Sequence, residues 1–220
     1  MTEINKTNKQ KIKGIPEPTI RRMPKYHDYI KRKKSEGEKS VSAPRIAHRL
    51  RLDATQVTKD LAYTGISGRP RIGYNVDDLL IAIENFLGFN HCDHAFLVGA
   101  GSLGTALVGY PGFKEYGVKI VAAFDNSPSL IGGEIRGVPV LDIDKFRDLA
   151  GRMHVSFGII TTPAEQAQQV ADLMISWGIK AIWNFSPISI IVPKHIIIQN
   201  TSIYANLAVI MNKLHYQKDI

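Results

Sequence analysis

Cysteine is nearly absent: Cys92 is the one thiol in 220 residues. A single thiol excludes an internal disulfide and a thiolate zinc cage, and no metal site is expected; it suits a reducing compartment, with Cys92 a structural thiol just ahead of a strand. Long apolar runs are missing too, since no stretch approaches the roughly 18 apolar residues that a membrane span requires. The opening segment, MTEINKTNKQKIKG, holds no apolar block of the kind that marks a secretory leader. No membrane partner is expected, and a cytoplasmic location follows. Acidic residues are scarce in one region only. Residues 1–75 carry 18 Lys and Arg against 7 Asp and Glu, or +11, whereas residues 76–220 carry 10 against 13, or −3. The basic excess belongs to the first third. Cations gathered on one module suit a polyanion, because neutralising phosphates releases their counterions. A solvated basic tail has the same composition, so charge alone leaves both readings open.

The basic third also carries helical punctuation. PEPTIRRMPKYHDYIKRKKSEG places Ile20, Met23, Tyr26 or His27, and Ile30 at spacings of three and four, a helix with an apolar stripe that Gly37 helps to end. Pro24, early in this helix, is expected to disturb its first turn. SAPRIAHRLRL then offers Ser42 as a cap, Pro44 in the first turn, and Ile46, Ala47 and Leu50 on one face. LDATQVTKDLAYTG begins with Asp53 as cap and Gln56 as its capping-box partner, and stops at Gly65. Two short helices joined by about three residues make a helix-turn-helix. ISGRPRIGYNV, residues 66–76, reads as a small hairpin or wing, and VDDLLIAIENFLG as a closing helix. The sum is a winged helix. Its second helix would lie in a DNA major groove, turning Thr55, Gln56, Thr58 and Lys59 toward base edges or phosphates, while Arg69 and Arg71 on the wing reach backbone or minor groove. Ser42, Arg45 and Tyr63 complete the candidates on this module, each open to the plainer reading of a solvated surface position.

A second module starts around His91. FLVGAGSLGTALVGY is an apolar strand followed by Gly99-x-Gly101-x-x-Gly104, with a tight turn at Gly99, close backbone approach to a pyrophosphate at Gly101 and close helix–strand packing at Gly104. Ala100, Ser102 and Leu103 fill the loop, and the helix opening at Ser102 turns amides toward phosphate. VKIVAAFD ends a second strand in Asp125, 21 residues beyond Gly104, where an acid can hold the adenosine ribose 2′-hydroxyl. Asn126, Ser127 and Pro128 follow with no Arg, which favours NAD(H) over NADP(H). Asp125 also weakens a third reading, a domain that binds CoA or another nucleotide. GVPVL, VSFGIITTP, AIWNFSP and HIIIQ continue as strands of a parallel sheet, with a helix PAEQAQQVADLMISWG between two of them. Ligands on such sheets sit beyond the strand ends, which nominates Thr161, Thr162, Pro163, Asn184 and Phe185 for the nicotinamide half, against a plainer reading as loop and capping residues.

A catalytic apparatus is what this second module lacks. Hydride transfer needs a positioned acid or base and generally a second domain that closes over the substrate. His154 and His195 lie in weak places for that task, and only one more helix follows the last strand. The chain therefore reads as a sensor and not an enzyme, with no catalytic residues and the nucleotide as its signal. The rival reading is a small NAD-dependent oxidoreductase with a basic N-terminal extension.

The stretches IRRMPKYHDYI, ATQVTKDLAYTG, GYNVDDLL, VGAGSLGTALVGYPGF, AFDNSP, IGGEIRGVPV, TTPAEQAQQVADLM and WNFSPISIIVP together resemble the Rex family, bacterial repressors that read the NADH/NAD+ ratio. The resemblance runs from about Ile15 to Leu214. It implies an α/β protein: an N-terminal winged helix-turn-helix over residues 1–88, a Rossmann NAD(H)-binding domain over 89–200, and a C-terminal helix over 201–220 exchanged within a homodimer. It further implies a double-stranded palindromic operator, released when NADH binds. SIYANLAVIMNKL, with Ile203, Leu207, Ile210, Met211 and Leu214 on one side, suits such an exchange; on its own it suits a core helix equally. Two roles carry over by resemblance: Tyr110 near the nicotinamide, and Arg22 in coupling nucleotide state to DNA. Two positions depart from the family pattern. Thr58 stands where many relatives have Arg, and Ser202 where many have Asp, which leaves Arg22 without that expected partner.

Overall fold

The computed structural model describes residues 14–216, and its residues divide into two compact units at the junction of Asn90 and His91. The first unit begins with α1 (Glu17–Ser35), which opens behind Pro16 with Glu17 in its first turn and closes with Arg32, Lys33 and Lys34 in its last. Those charges complement the helix dipole at both ends. Met23, Tyr26 and Ile30 are fully buried along α1, but Ile20 is exposed and Thr19 and Tyr29 are buried in its stead. The expected stripe is thus rotated by one position. Pro24 lies well inside α1, and the helix runs through it unbroken, so no irregular first turn forms.

The remaining elements of this unit are β1 (Ser40–Val41), α2 (Ala43–Leu50), α3 (Ala54–Ala62), β2 (Tyr74–Asn75) and α4 (Val76–Leu87). Ser42 caps α2 by accepting from the Arg45 N–H at 3.4 Å, and Asp53 caps α3 by accepting from the Gln56 N–H at 3.0 Å. α3 ends at Ala62, three residues before Gly65. The helices α2 and α3 form the expected helix-turn-helix, and α1 packs along α4. The wing is smaller than a hairpin. Arg69 and Gly73 make one antiparallel bridge around a tight turn, while β2 pairs with β1, ahead of the helix-turn-helix. Val57, Leu61, Leu79 and Ile83 join Ile46 in the core that these helices share.

The second unit is a seven-stranded sheet in the order β5-β6-β4-β3-β7-β8-β9. Its strands are β3 (Asp93–Val98), β4 (Val118–Asp125), β5 (Glu134–Ile135), β6 (Val138–Asp142), β7 (Phe157–Ile160), β8 (Ala181–Asn184) and β9 (Ile197–Asn200). All neighbours are parallel except β5 and β6; β6 is the expected GVPVL strand, and its antiparallel partner β5 was not anticipated. Its helices are α5 (Ser102–Val108), α6 (Gly112–Glu115), α7 (Phe146–Met153), α8 (Ala164–Ser176) and α9 (Ile203–Tyr216); α6 and α7 were likewise unanticipated. Strand alternation divides the core between two faces: Phe96 and Val98 of β3 point to one, Ala95 and Leu97 to the other. Chain direction reverses its lateral progress between β3 and β7, so the crevice expected of such a sheet opens at their carboxyl ends.

α9 differs from every other helix. None of its side chains is buried, and Ile203, Leu207, Ile210, Met211 and Leu214 are all exposed. Within a single chain it is therefore not a core helix. Among the described residues no helix is long and apolar enough to cross a membrane.

Phe146 of α7 is fully buried against Phe96, Phe124 and Trp177, with ring centroids 5.2, 4.8 and 5.2 Å away. Phe146→Ala is expected to lower the unfolding free energy by about 3–5 kcal/mol, the usual cost of such a cavity. Urea denaturation followed by tryptophan fluorescence measures it, and a loss below about 1 kcal/mol would show that this aromatic cluster is not a core.

Candidate functional site

The first candidate surface is the outer side of the helix-turn-helix. Thr55, Thr58 and Lys59 of α3 are exposed, as are Tyr63 at its end and Arg69 and Arg71 on the turn that follows. Thr58 spends its hydroxyl hydrogen on the Ala54 carbonyl at 3.0 Å. Arg71 holds a left-handed backbone, φ 63°, which projects the tip of the turn. Arg45 is exposed but forks onto Glu38, one contact measuring 2.8 Å, and the Ser42 hydroxyl is engaged as the cap of α2.

Arg22 and Gln56 are drawn elsewhere. Both donate to Asp60, a carboxylate with no exposed surface on the inner face of α3. Arg22 reaches it with Nε at 2.6 Å and its terminal nitrogen at 2.9 Å; Tyr26 adds its hydroxyl at 2.6 Å, Thr19 at 3.0 Å and Gln56 its amide at 2.8 Å. The expected capping box is therefore only half formed, because the Gln56 side chain turns to Asp60 and not back to the cap. Burial pushes the Asp60 carboxyl up, but the hydrogen bonds from Arg22, Tyr26, Thr19 and Gln56 outweigh it and hold the group below the ordinary carboxylate range. The same bond raises the Arg22 guanidinium, and burial followed by the Asp60 bond raises the Tyr26 phenol. Sequence reading passed over Asp60. Its signal was an acid at spacings of three and one from the apolar Val57 and Leu61, a charged residue on a buried stripe.

The second candidate is a cleft of about 880 Å³ in the second unit, at the carboxyl ends of β3, β4 and β7. Gly99, Gly101, Leu103, Asp125, Thr161, Thr162, Pro163 and Phe185 all line it. Gly99 has φ 103°, and a Cβ there would stand 2.8 Å from the Thr161 backbone. A Cβ on Gly104 would fall 2.0 Å from the Gly99 carbonyl, whereas one on Gly101 would meet nothing within 4 Å. Two of the glycines are thus required by the protein's own packing, and Gly101 leaves open space facing the cleft. The Thr161 hydroxyl locks the turn by donating to the Gly99 carbonyl at 2.7 Å. Asp125 accepts from the Ala100 N–H at 2.7 Å and the Ser127 N–H at 2.8 Å, so it braces the glycine loop from beneath.

Other nominated residues fall outside the cleft wall. Ala100 and Gly104 are buried behind it, and Ser102 is the exposed first residue of α5. Tyr110 is exposed, rests edge-on against Phe113 and is not among the lining residues. Asn184 is fully buried behind the cleft and does not line it. His154 and His195 are not among the lining residues either. Sequence reading missed Asn126, Gln166 and Gln169 on the polar side of the wall, and Ile143, Val170 and Leu173 on the apolar side. The donor set fits a dinucleotide: an open glycine for close backbone approach, an acid at the end of β4, apolar wall, and a buried Thr162 hydroxyl with no partner. Among the described residues no cluster of three or more His, Cys, Asp or Glu could hold a metal.

Comparison with known proteins bears on both surfaces. A family described as "Putative DNA-binding protein N-terminus" matches residues 14–62, and one described as "CoA binding domain" matches residues 92–188. The redox-sensing transcriptional repressor Rex of Bacteroides fragilis is 45% identical over 218 residues, 99% of this chain and 99% of that protein. Among solved structures, RSP in complex with β-NAD+ and operator DNA aligns with TM-score 0.89 at 32% identity, over 93% of this chain and 94% of that one. RSP in complex with β-NADH aligns with TM-score 0.83 at 32% identity, over 93% and 96%.

Asp60 sets an acid limit to stability. Its folded carboxyl binds a proton less readily than in the unfolded chain, so the stabilisation is complete above the unfolded value near about 4 and is lost as pH falls through the lower folded value. Asp60→Asn leaves Arg22 without its counter-charge and is expected to cost about 3–5 kcal/mol at neutral pH while flattening this acid limb. Urea denaturation across that pH range measures both; an acid limb as steep in the variant as in the wild type would assign it to other groups.

Proposed function

Because this chain belongs to the Rex family of redox-sensing transcriptional repressors, we propose that it binds a palindromic operator as a cytoplasmic homodimer and is not an enzyme. The protein is a DNA-binding repressor that senses NADH and NAD+, released from DNA when NADH binds. One observation carries the reading: a glycine loop with open space at Gly101 faces a dinucleotide-sized cleft, in a chain whose other unit holds a helix-turn-helix with the basic excess. The family description naming CoA covers the same segment, but full-length likeness to Rex repressors and the RSP structures with β-NAD+ and β-NADH support NAD(H).

Gly99, Gly101 and Leu103 would hold the pyrophosphate side of the dinucleotide, Asp125 the adenosine ribose, and Thr161, Thr162, Pro163 and Phe185 the nicotinamide side. Bound there, NADH presents a neutral ring and NAD+ a cationic one. At the nicotinamide side the wall of Thr161, Thr162, Pro163 and Phe185 carries no charge and so favours the neutral form, because burying an unpaired cation costs desolvation energy. Release follows only if the nucleotide binds the DNA-free arrangement more tightly than the DNA-bound one. Exposed apolar residues along α9 support a second copy as its cover. On the DNA side, Thr55, Thr58, Lys59, Tyr63, Arg69 and Arg71 are exposed toward bases and phosphates, with Arg45 available on breaking its pair with Glu38. Arg22 and Gln56 act from behind through Asp60, and Tyr110 stands outside the cleft wall as a position carried by family likeness alone.

Anisotropy titration of a palindromic duplex at fixed salt is expected to show release by NADH at concentrations at least about tenfold below those of NAD+. Equal release by both nucleotides would sink the redox reading, and turnover of NADH with a panel of carbonyl substrates would favour the oxidoreductase. Gly101→Val fits the fold, since nothing lies near its Cβ, and fills ligand space. It is expected to keep nucleotide-free operator binding within about twofold and to abolish the NADH response.

A further inference from the structure

Asn184, at the carboxyl end of β8, is fully buried, and its side chain is saturated with partners. Its Nδ2 donates to the Ile188 carbonyl at 2.7 Å and to Oδ1 of Asn200 at 2.8 Å, and its Oδ1 accepts from the Ser186 N–H at 2.9 Å. The Asn184 backbone carbonyl accepts from the Thr201 N–H at 2.8 Å. Asn200 Oδ1 takes a second donor, the Ile190 N–H, at 3.1 Å. Trp183 Nε1 adds a bond to the Thr201 hydroxyl at 2.8 Å, and the Ser186 hydroxyl donates to the Thr162 carbonyl at 2.6 Å. Hydrogen bonds that converge on a fully buried amide hold the backbone segments they join in one geometry.

These bonds join two separate stretches of the cleft wall. Phe185, Ser186 and Pro187 form one, just after β8; Ile203 and Tyr204, the first turn of α9, form the other. α9 itself buries no side chain within the chain, so its attachment is concentrated at its base. We propose that Asn184 and Asn200 are positioning residues that make both wall segments move as one, so that filling the cleft is felt along α9. The proposal rests on the cleft being the NAD(H) site argued above. It also supplies a route that needs no acid at Ser202: the amide pair transmits through geometry, where an Arg22-linked ion pair would have required a carboxylate. Ser202 has its own task, accepting from the Ala205 N–H at 3.1 Å as a cap on α9.

Hydrogen exchange on the full-length protein, with NADH affinity measured in parallel, tests this. The readout is residues 205–212, which belong to α9 but do not line the cleft. In the wild type, NADH is expected to slow exchange both at 185–187 and at 205–212. Asn200→Ala removes the shared acceptor of Asn184 and Ile190; it should bind NADH within about threefold of wild type and protect 185–187, with 205–212 unchanged. Asn200→Asp, which restores an acceptor of the same shape, should recover the α9 response. Thr201→Val keeps the branched shape and cuts only the Trp183 bond, and should reduce that response at least about twofold. An unaltered α9 response in Asn200→Ala, or in Thr201→Val where the first variant does not fold, overturns the proposal, as does a wild-type α9 that ignores bound NADH. Loss of NADH-driven operator release with this coupling intact would sink the repressor reading alone, and failure of the wild type to bind NADH would sink both.

Discussion

A carboxylate without any exposed surface governs the first unit. Removing Asp60 from water costs several kcal/mol, and only partners fixed in place can offset it. Five donated hydrogen bonds from Thr19, Arg22, Tyr26 and Gln56 do so, and three of those residues lie on α1. The compensation therefore sets how α1 lies against α3. Any tilt of α3, the helix whose outer face carries Thr55, Thr58 and Lys59, strips donors from Asp60 at once. A buried ion pair is weak support for net stability, but these directional hydrogen bonds tie α3 to α1 in one orientation, and a fixed orientation is what a helix needs in order to meet fixed base edges. The cost falls on Arg22 and Gln56, whose polar groups are spent inward.

The second unit depends on a different constraint, the close approach of the β3 and β7 ends. Gly99 turns with positive φ against the Thr161 backbone, and Gly104 has room for no side chain beside the Gly99 carbonyl. Thr161 and Asp125 then hold the loop by its carbonyl and its N–H. Preorganisation follows, because the loop needs no reordering to receive a ligand. Gly101 alone among the three keeps free space, so its glycine identity answers to something outside the chain.

Much of this was legible in the residues. Caps at Ser42 and Asp53, the strand-glycine-helix order at residues 96–110 and Asp125 at the end of β4 are local signals, and local chemistry decides them. Misses share one cause: each is settled by tertiary partners. Ile20 yields to Tyr29 because α1 rotates to bring Thr19 and Arg22 to Asp60, a residue 38 positions beyond Arg22. Gln56 leaves the expected capping box for the same carboxylate. Asn184 reads as a cleft residue by position on β8, yet it turns behind the wall toward Asn200. The wing shrinks because β2 finds β1 as partner, a pairing that crosses both helices of the turn. α7 was passed over because FRDLAGRM is short and breaks its apolar positions with Arg147, Asp148, Gly151 and Arg152, and its place depends on Phe146 entering an aromatic cluster built from β3 and β4.

The wall of the cleft offers amides, hydroxyls, apolar side chains, the Tyr204 phenol and one carboxylate engaged with backbone N–H groups. Such a wall can distinguish two charge states of one ligand, because discrimination needs only a difference in desolvation and contact. That difference becomes a signal when the same wall includes residues of an element that also presents another surface. Ile203 and Tyr204 satisfy that requirement: they face the cleft from the base of α9, and the rest of α9 presents apolar side chains for which the single chain provides no cover. Were a second copy to cover α9, that burial and ligand occupancy would share Ile203, and through linkage each would then bear on the free energy of the other.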